Sequence, residues 1–461
     1  MSHDEWVYDD LVEVSERLRR GALSSSALTE QMLTRIARLD KQLGAFVHVD
    51  VDGARAAARR ADEALQAGQW YGPLHGVPVA IKDVIDTAGM PTEAGMKLWR
   101  GRVPSEDATC VARLQRAGAV ILGKTVTSEA AFIGHSHQPA PRNPWHAAQS
   151  SGVSSSGSGV AVAAGLCYAA LGTDTGGSIR LPSALNGITG LKPSWGRVSR
   201  HGVLPVAPQF DVIGPMTRSV RDAAVVLQAI AGADRHDPIT ATRPLPNYLE
   251  AVEGGIGALR IGVDMTLLAD ICEAPVLAVL RQALADLEAR GARRVEVALP
   301  PIDPWVMLKQ AHAALASGHR DTYPARATDY GEGMRQSLEA GHQLTAVELS
   351  DAVNAGLTLR AQIDALFDEV DLLLMPVIAT AVEPAGPPAM PDMELALRRA
   401  TATMAFSITG HPTLTLPAGL IDGLPTALQL VARPFDEALL LRAGQAWQQH
   451  TSHHRERPPL S

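Results

Sequence analysis

The chain has little cysteine, few aromatics, no excess of positive charge and no long apolar run, and each shortage removes a class of protein. Three cysteines in 461 residues, Cys110, Cys167 and Cys272, form an odd, scattered set without CxxC spacing. That excludes a disulfide scaffold and a thiolate zinc site; they read as small core hydrophobes in a reducing cytoplasm. Aromatics are 4% of the chain, too few for stacking platforms on single-stranded nucleic acid. Lys and Arg number 41 against 49 Asp and Glu, a net charge of -8, so the basic face a phosphate backbone requires is missing. The longest uncharged stretch, 143–173, is continuously apolar only over 160–171, about half the ~20 residues of a spanning helix. The start, Met1-Ser-His-Asp-Glu-Trp, is acidic where a secretory signal would be basic, and residues 455–461 carry no lipidation signal. The expectation is a cytoplasmic protein without a membrane or nucleic-acid partner.

What is present is an alternation of strand and helix signals. Leu28, Met32, Ile36 and Leu39 recur at helical spacing behind a run of serines, and an Ala-rich helical pattern over 51–67 ends at Gly68. Val77, Val79 and Ile81 alternate as in a strand, which places Lys82 at the strand end on the opposite face. Residues 119–122 and 372–375 read as short buried strands, and 160–171 as a buried element. Ser219-Val-Arg-Asp222 resembles a capping box that opens a helix through Ile230 and stops at Gly232. Residues 259–263, a helix over 275–290 and residues 295–299 read as a β-α-β unit. Pro384–Pro391 is a short Pro-rich surface loop. With hydrophobic residues at 46% and no repeat or linker, one layered α/β domain accounts for the whole length.

Two short motifs fail on physical grounds. Gly118-Ala-Val-Ile-Leu-Gly-Lys-Thr125 matches a P-loop by letter, but its middle is the strand itself, so its N–H groups belong to a ladder. His135-Ser-His137 offers two imidazoles on one side of a strand, but no carboxylate or cysteine stands at matching spacing, and there is no HExxH. The GxSxG elbow is also absent.

A different constellation carries chemistry. Gly152-Val-Ser-Ser-Ser-Gly-Ser-Gly159 leads straight into the apolar run, and Gly172-Thr-Asp-Thr-Gly-Gly-Ser-Ile-Arg180 follows. Serine hydroxyls at the mouth of a buried helix are caps or working groups. Gly176-Gly177 before Ser178 lets consecutive N–H groups converge on one point, as an oxyanion needs; an ordinary turn is the plainer reading. A serine also needs a base. The segment has no histidine, and the candidate is Lys82, whose burial would leave some neutral amine. Taken alone, Lys82 is equally a strand-end lysine paired with Asp83.

Together the segments resemble the amidase signature family of serine hydrolases. The likeness runs in order through Gly76–Asp83, Gly123-Lys-Thr125, the Ser/Gly run 152–159 with Ala163-Ala-Gly165, Leu171–Arg180, Gly190-Leu-Lys-Pro193 and Gly214-Pro215. Weaker likeness continues through Asp371–Pro376, Thr409-Gly-His-Pro412 and Asp422–Pro425 to Gln429. The resemblance implies a single-domain amidase signature fold over 1–461, a mixed twisted central β-sheet covered on both faces by α-helices. Within it, 1–70 would be N-terminal helices, 71–230 the signature core and 231–461 the remainder. It implies a Ser–cis-Ser–Lys triad: Ser178 the nucleophile, Lys82 the base and Ser154 the bridging serine after a cis Val153–Ser154 bond. Val153 departs from the glycine that the family often has there. The N–H groups of Thr175, Gly176, Gly177 and Ser178 would hold the oxyanion. Asp174 and Arg180 would pair and hold the loop, and Ser155 and Ser158 would hydrogen-bond the turn. No cofactor or metal is implied.

The expected activity is amide hydrolysis through an acyl-enzyme, with carbamate or ester hydrolysis as alternatives on the same triad. After Gly123-Lys-Thr125 the family often has Asn and an aromatic where this chain has Val126 and Ala130. A more apolar wall there suggests bulky or aryl amides; packing variation explains it equally. A further alternative is the glutamine-hydrolysing component of a tRNA-dependent amidotransferase, but the Gly-Gly-Ser-Ser-Gly-Gly run of that component is altered here to Gly152-Val-Ser-Ser-Ser-Gly157. The expected partner is a small-molecule amide or carbamate, and the expected assembly a monomer or homodimer.

Overall fold

The computed structural model describes residues 6–381, 384–385 and 393–460, with side chains of 393–399 left aside. Among these the backbone forms one continuous sheet of eleven strands in the order β1-β3-β2-β4-β6-β5-β10-β11-β9-β7-β8. In chain order the strands are β1 (Phe46–Val49), β2 (Pro78–Lys82), β3 (Val120–Thr125), β4 (Ala169–Asp174), β5 (Thr189–Lys192) and β6 (Val212–Thr217). The remaining five are β7 (Arg260–Val263), β8 (Arg293–Glu296), β9 (Leu372–Pro376), β10 (Thr413–Ile421) and β11 (Leu424–Val431). The sheet is mixed: β2 runs parallel to β3 and β4, while β6 returns antiparallel to β4. Helices flank it, and one large apolar cluster runs from Val7 to Trp447. Burial on both faces explains why central strands such as β2 and β4 are buried at every residue rather than at alternate ones.

Most local expectations hold. Helices span Ser25–Leu43, with Ser24 accepting from the Ala27 N–H, and Val51–Gln66. The β-α-β unit is present, with β7 parallel to β8, but β8 begins two residues before the expected 295. The buried run after Ser156 divides into a helix, Ser156–Ala163, and β4. In the failed P-loop, Val120–Thr125 is strand, and a Cβ at Gly123 would lie 2.1 Å from the His48 carbonyl oxygen, so another strand occupies the space a phosphate would need.

Two expectations are corrected. Ser219 does cap the helix Val220–Ile230, accepting from the Asp222 N–H. The Asp222 carboxylate, however, does not close a capping box. It accepts the N–H groups of Leu11 and Val12 and so anchors the first turn of the helix Leu11–Arg19. His135–His137 does not lie on a strand. His137 Nε2 sits 3.5 Å from Glu129, a carboxylate that the sequence spacing did not reveal and that also accepts the Gly331 N–H. Among the described residues no three His, Cys, Asp or Glu side chains are grouped to hold a metal. Of the Pro384–Pro391 loop only 384–385 fall among the described residues. No described helix is long and apolar enough to cross a membrane.

Candidate active site

The site forms where the ends of β2 and β4 meet the start of the helix Ser156–Ala163. Ile81 pairs with Leu171 in the parallel β2–β4 register, so Lys82 emerges beside Gly172 and Thr173. Its side chain is fully buried. Lys82 Nζ donates to Ser154 Oγ at 2.6 Å, Ser155 Oγ at 2.9 Å and Thr173 Oγ1 at 2.7 Å. Three hydroxyls therefore solvate the amine in place of water. Asp83, the alternative partner, faces Lys124 Nζ at 3.8 Å instead. Burial draws the Lys82 amine down from 10.5 to about 7, against the opposing pull of the Asp174 and Asp211 carboxylates. Such a lysine is substantially neutral at physiological pH.

Ser154 follows a cis peptide bond, Val153–Ser154. Ser155 does more than brace its turn: its hydroxyl accepts from Lys82, accepts the Thr173 N–H at 3.2 Å and donates to the Thr173 carbonyl at 3.1 Å. Ser158 is also corrected. Its hydroxyl bonds Thr125 Oγ1 and the Leu171 carbonyl, linking the helix to β3 and β4 rather than to its own turn.

Ser178 sits at the end of the loop after β4. The Ser155 N–H donates to its carbonyl at 3.3 Å, which fixes the two serine segments together. Among the described residues no hydrogen bond joins the Ser154 and Ser178 hydroxyls. Such catalytic contacts often tighten only with substrate bound. Asp174 organises the loop from beneath. It accepts the N–H groups of Gly177 at 2.9 Å, Ile179 at 3.0 Å and Arg180 at 3.3 Å. The Arg180 guanidinium grips the same carboxylate through Nε at 3.0 Å and Nη2 at 2.8 Å. Burial pushes the Asp174 carboxyl up, but the charge of Arg180 and the bonds it makes hold the group below its ordinary 3.8. Arg180 also donates to the Thr403 carbonyl and to Ser407 Oγ, tying the loop to the helix Met393–Ile408. The bond to Asp174 corrects one expectation, since the Gly177 N–H is committed there. Among the described residues, the N–H groups of Thr175, Gly176 and Ser178 are the ones in this loop that no protein acceptor takes.

The surroundings are apolar in one part and hollow in another. Met307 packs onto Gly176, where a Cβ would lie 2.6 Å from its methyl. With Phe210, Ala207 and Ala311 it forms a small cluster separate from the main core. A cavity of about 210 Å³ reaches Thr173 and Asp211, walled by Val203, Leu204, Val206 and Ile213 and by the polar Arg200, His201, His236 and Asp237. Val126 and Ala130, expected to line a roomy wall, are buried and line neither this cavity nor the polar one beside Arg60. They are packing positions: the Val126 N–H donates to the Ala45 carbonyl, and a Cβ at Gly157 would strike Val126.

Thr173 and Asp211 were missed by sequence reasoning. Thr173 carried no signal in the sequence, since only the β2–β4 register brings it to Lys82. Asp211 carried none either, since only the pairing of β4 with β6 brings it beside Thr175.

The family model described as Amidase matches residues 27–441. The chain belongs to the amidase signature family. It is similar to a Mycobacterium tuberculosis protein named "Putative amidase AmiD", 44% identical over 98% of this chain and 96% of that one. It is also similar to a glutamyl-tRNA(Gln) amidotransferase component from Roseiflexus castenholzii, 40% identical over 98% of this chain and 97% of the relative. Among solved structures, the native peptide amidase of Stenotrophomonas maltophilia superposes with a TM-score of 0.84 at 33% identity, covering 99% of each chain. The chain is thus an amidohydrolase of the amidase signature family, and its sheet flanked by helices is the fold of that family.

Proposed function

We propose that this amidase hydrolyses amides through an acyl-enzyme on Ser178, with Ser154 relaying protons to Lys82. The observation that carries this reading is the buried Lys82 amine, lowered to about 7 and hydrogen-bonded to Ser154 at 2.6 Å. Neutral Lys82 takes the Ser154 hydroxyl proton as Ser154 takes that of Ser178. The Ser178 oxygen bonds the carbonyl carbon, and the C=O π pair moves onto the carbonyl oxygen. The N–H groups of Thr175, Gly176 and Ser178 stabilise that oxyanion. Collapse breaks the C–N bond, with Ser154 donating a proton to the leaving amine and Lys82 restoring the proton of Ser154. Water then attacks the ester by the same relay and releases the acid. Each oxyanion donor in comparable sites is worth roughly 3 kcal/mol. Asp174 and Arg180 shape the loop without touching the reacting atoms.

The substrate reading is a bulky or aryl amide, with carbamates and esters as side activities, acted on in the cytoplasm by a monomer or homodimer. The cavity beside Thr173, apolar at Val203, Leu204, Val206 and Ile213 and polar at Arg200, His201, His236 and Asp237, supports it in place of the wall at Val126 and Ala130. The test is a panel of acetamide, acetanilide, phenyl acetate and phenyl carbamate, with Ser178→Ala and Lys82→Ala as controls. Acetanilide is expected to exceed acetamide in kcat/KM; the reverse order overturns the substrate assignment, and activity surviving in Ser178→Ala overturns the mechanism. The likeness to the amidotransferase component favours a second reading, glutamine hydrolysis within a tRNA-dependent complex. Turnover of anilides by the purified chain without tRNA or ATP decides for the first.

A further inference from the structure

Each residue of the loop 175–178 is held by a different part of the molecule. Thr403 Oγ1, from the helix Met393–Ile408, donates to the Gly176 carbonyl at 2.9 Å. Asp174 takes the Gly177 N–H, and the Ser155 N–H reaches the Ser178 carbonyl. Thr175 is held by its side chain: its hydroxyl donates to Asp211 Oδ1 at 2.5 Å. Asp174 is the register partner of Val212 across the antiparallel β4–β6 ladder. The next pair outward is Thr175 and Asp211, so a side-chain bond continues the ladder one step past the end of the strands.

We propose that Asp211 is a positioning residue of the oxyanion hole, acting through the Thr175 hydroxyl. This rests on the acyl-enzyme reading above and adds a residue to it. The Asp211 carboxylate is buried, and its other oxygen accepts the N–H groups of Val206 at 2.9 Å and Ala207 at 3.0 Å. Among the described residues no cation hydrogen-bonds it. Arg200, whose charge acts on it, is hydrogen-bonded instead to Asp237 and the Pro208 carbonyl. Burying a carboxylate without an ion pair is unfavourable unless its hydrogen bonds are filled, and three donors fill it here. No hydrogen-bonded cation accounts for the carboxylate, whose charge reaches Lys82 only at a distance; its direct contacts join the turn at 206–207 to the first residue of the loop. The join matters because it ties Thr175, the residue that opens the loop, to the turn at 206–207. With the hydroxyl tether gone, the Thr175 and Gly176 N–H groups lose their common aim. A hole that is misdirected stabilises the transition state less while the ground state binds as before.

The test compares Thr175→Val, which keeps shape but loses the hydroxyl, with Thr175→Ser, which keeps the hydroxyl, using aniline release from acetanilide. Ser178→Ala serves as the control for the acyl-enzyme reading. Thr175→Val is expected to lose about 10- to 100-fold in kcat with KM within about twofold. Thr175→Ser is expected to recover most of that loss. Full kcat in Thr175→Val, an equal loss in Thr175→Ser, or a loss carried by KM overturns the proposal, while an inactive Ser178→Ala leaves the acyl-enzyme reading standing. If Thr175→Val does not fold, Thr175→Ala carries the same test, since it too removes the hydroxyl while leaving the Asp211 charge in place. Loss of kcat at constant KM supports the proposal there, and full kcat overturns it.

Discussion

Replacing Lys82 by Met removes a fully buried amine while filling much the same space, and the consequences for stability depend on pH in a calculable way. Burial brings this amine from 10.5 down to about 7, outweighing the opposing field of Asp174 and Asp211. The unfolded chain keeps the proton up to about 10.5, so between pH 7 and 10.5 the unfolded state binds more protons and stability rises with pH. Over that window of 10.5 less 7, the linkage costs the wild type about 4 kcal/mol at pH 7, and the cost vanishes by pH 10.5. Methionine escapes the cost but forfeits the bonds to Ser154, Ser155 and Thr173, worth roughly 1 kcal/mol each. Lys82→Met is therefore expected to be inactive, more stable than wild type by about 1 kcal/mol at pH 7 and less stable by about 2 kcal/mol at pH 10. Lys192, also lowered to about 7 by burial, titrates in both proteins and cancels. Urea unfolding followed by tryptophan fluorescence from pH 7 to 10 measures the difference. A difference that stays constant across that range refutes a buried, largely neutral Lys82.

The same titration governs rate. Only the neutral amine accepts a proton, so kcat/KM should rise about tenfold per pH unit below pH 7 and level off above it; a limb centred near pH 10 contradicts the lowered pKa. Thr173→Val removes an acceptor of the Lys82 amine and should lower kcat about tenfold, near the worth of one hydrogen bond; an unchanged kcat in steady-state assays contradicts it. Arg180→Ala strands the buried Asp174 carboxylate and should cost about 3–5 kcal/mol, read as a drop in the unfolding midpoint.

The parts of the site legible in the sequence are those set by local pattern. Strand alternation put Lys82 at the end of β2 on the face opposite Val79 and Ile81, and the run into apolar residues marked Ser154–Ser158 as the mouth of a buried helix. The family resemblance implied that Asp174 and Arg180 pair, and the structure shows the pair holding the loop. What escaped depends on long-range pairing. Thr173 meets Lys82 only through the β2–β4 register, and Asp211 meets Thr175 only through β4–β6. The Asp222 carboxylate looked like half of a capping box because the helix it anchors begins 211 residues earlier in the chain. Val126 and Ala130 suggested an apolar pocket wall because they stand where the family often has Asn and an aromatic, yet both are buried in packing. The resemblance placed the Gly177 N–H in the oxyanion hole, whereas it donates to Asp174.

The central claim is that Lys82, through Ser154, activates Ser178. Treating the enzyme with a fluorophosphonate and mapping the adduct by peptide mass spectrometry tests it directly. The expected result is a single phosphonylated serine, Ser178, labelled at a rate that rises with pH through about 7 and lost in Lys82→Ala. An adduct on Ser154 or another residue, or undiminished labelling in Lys82→Ala, would contradict it.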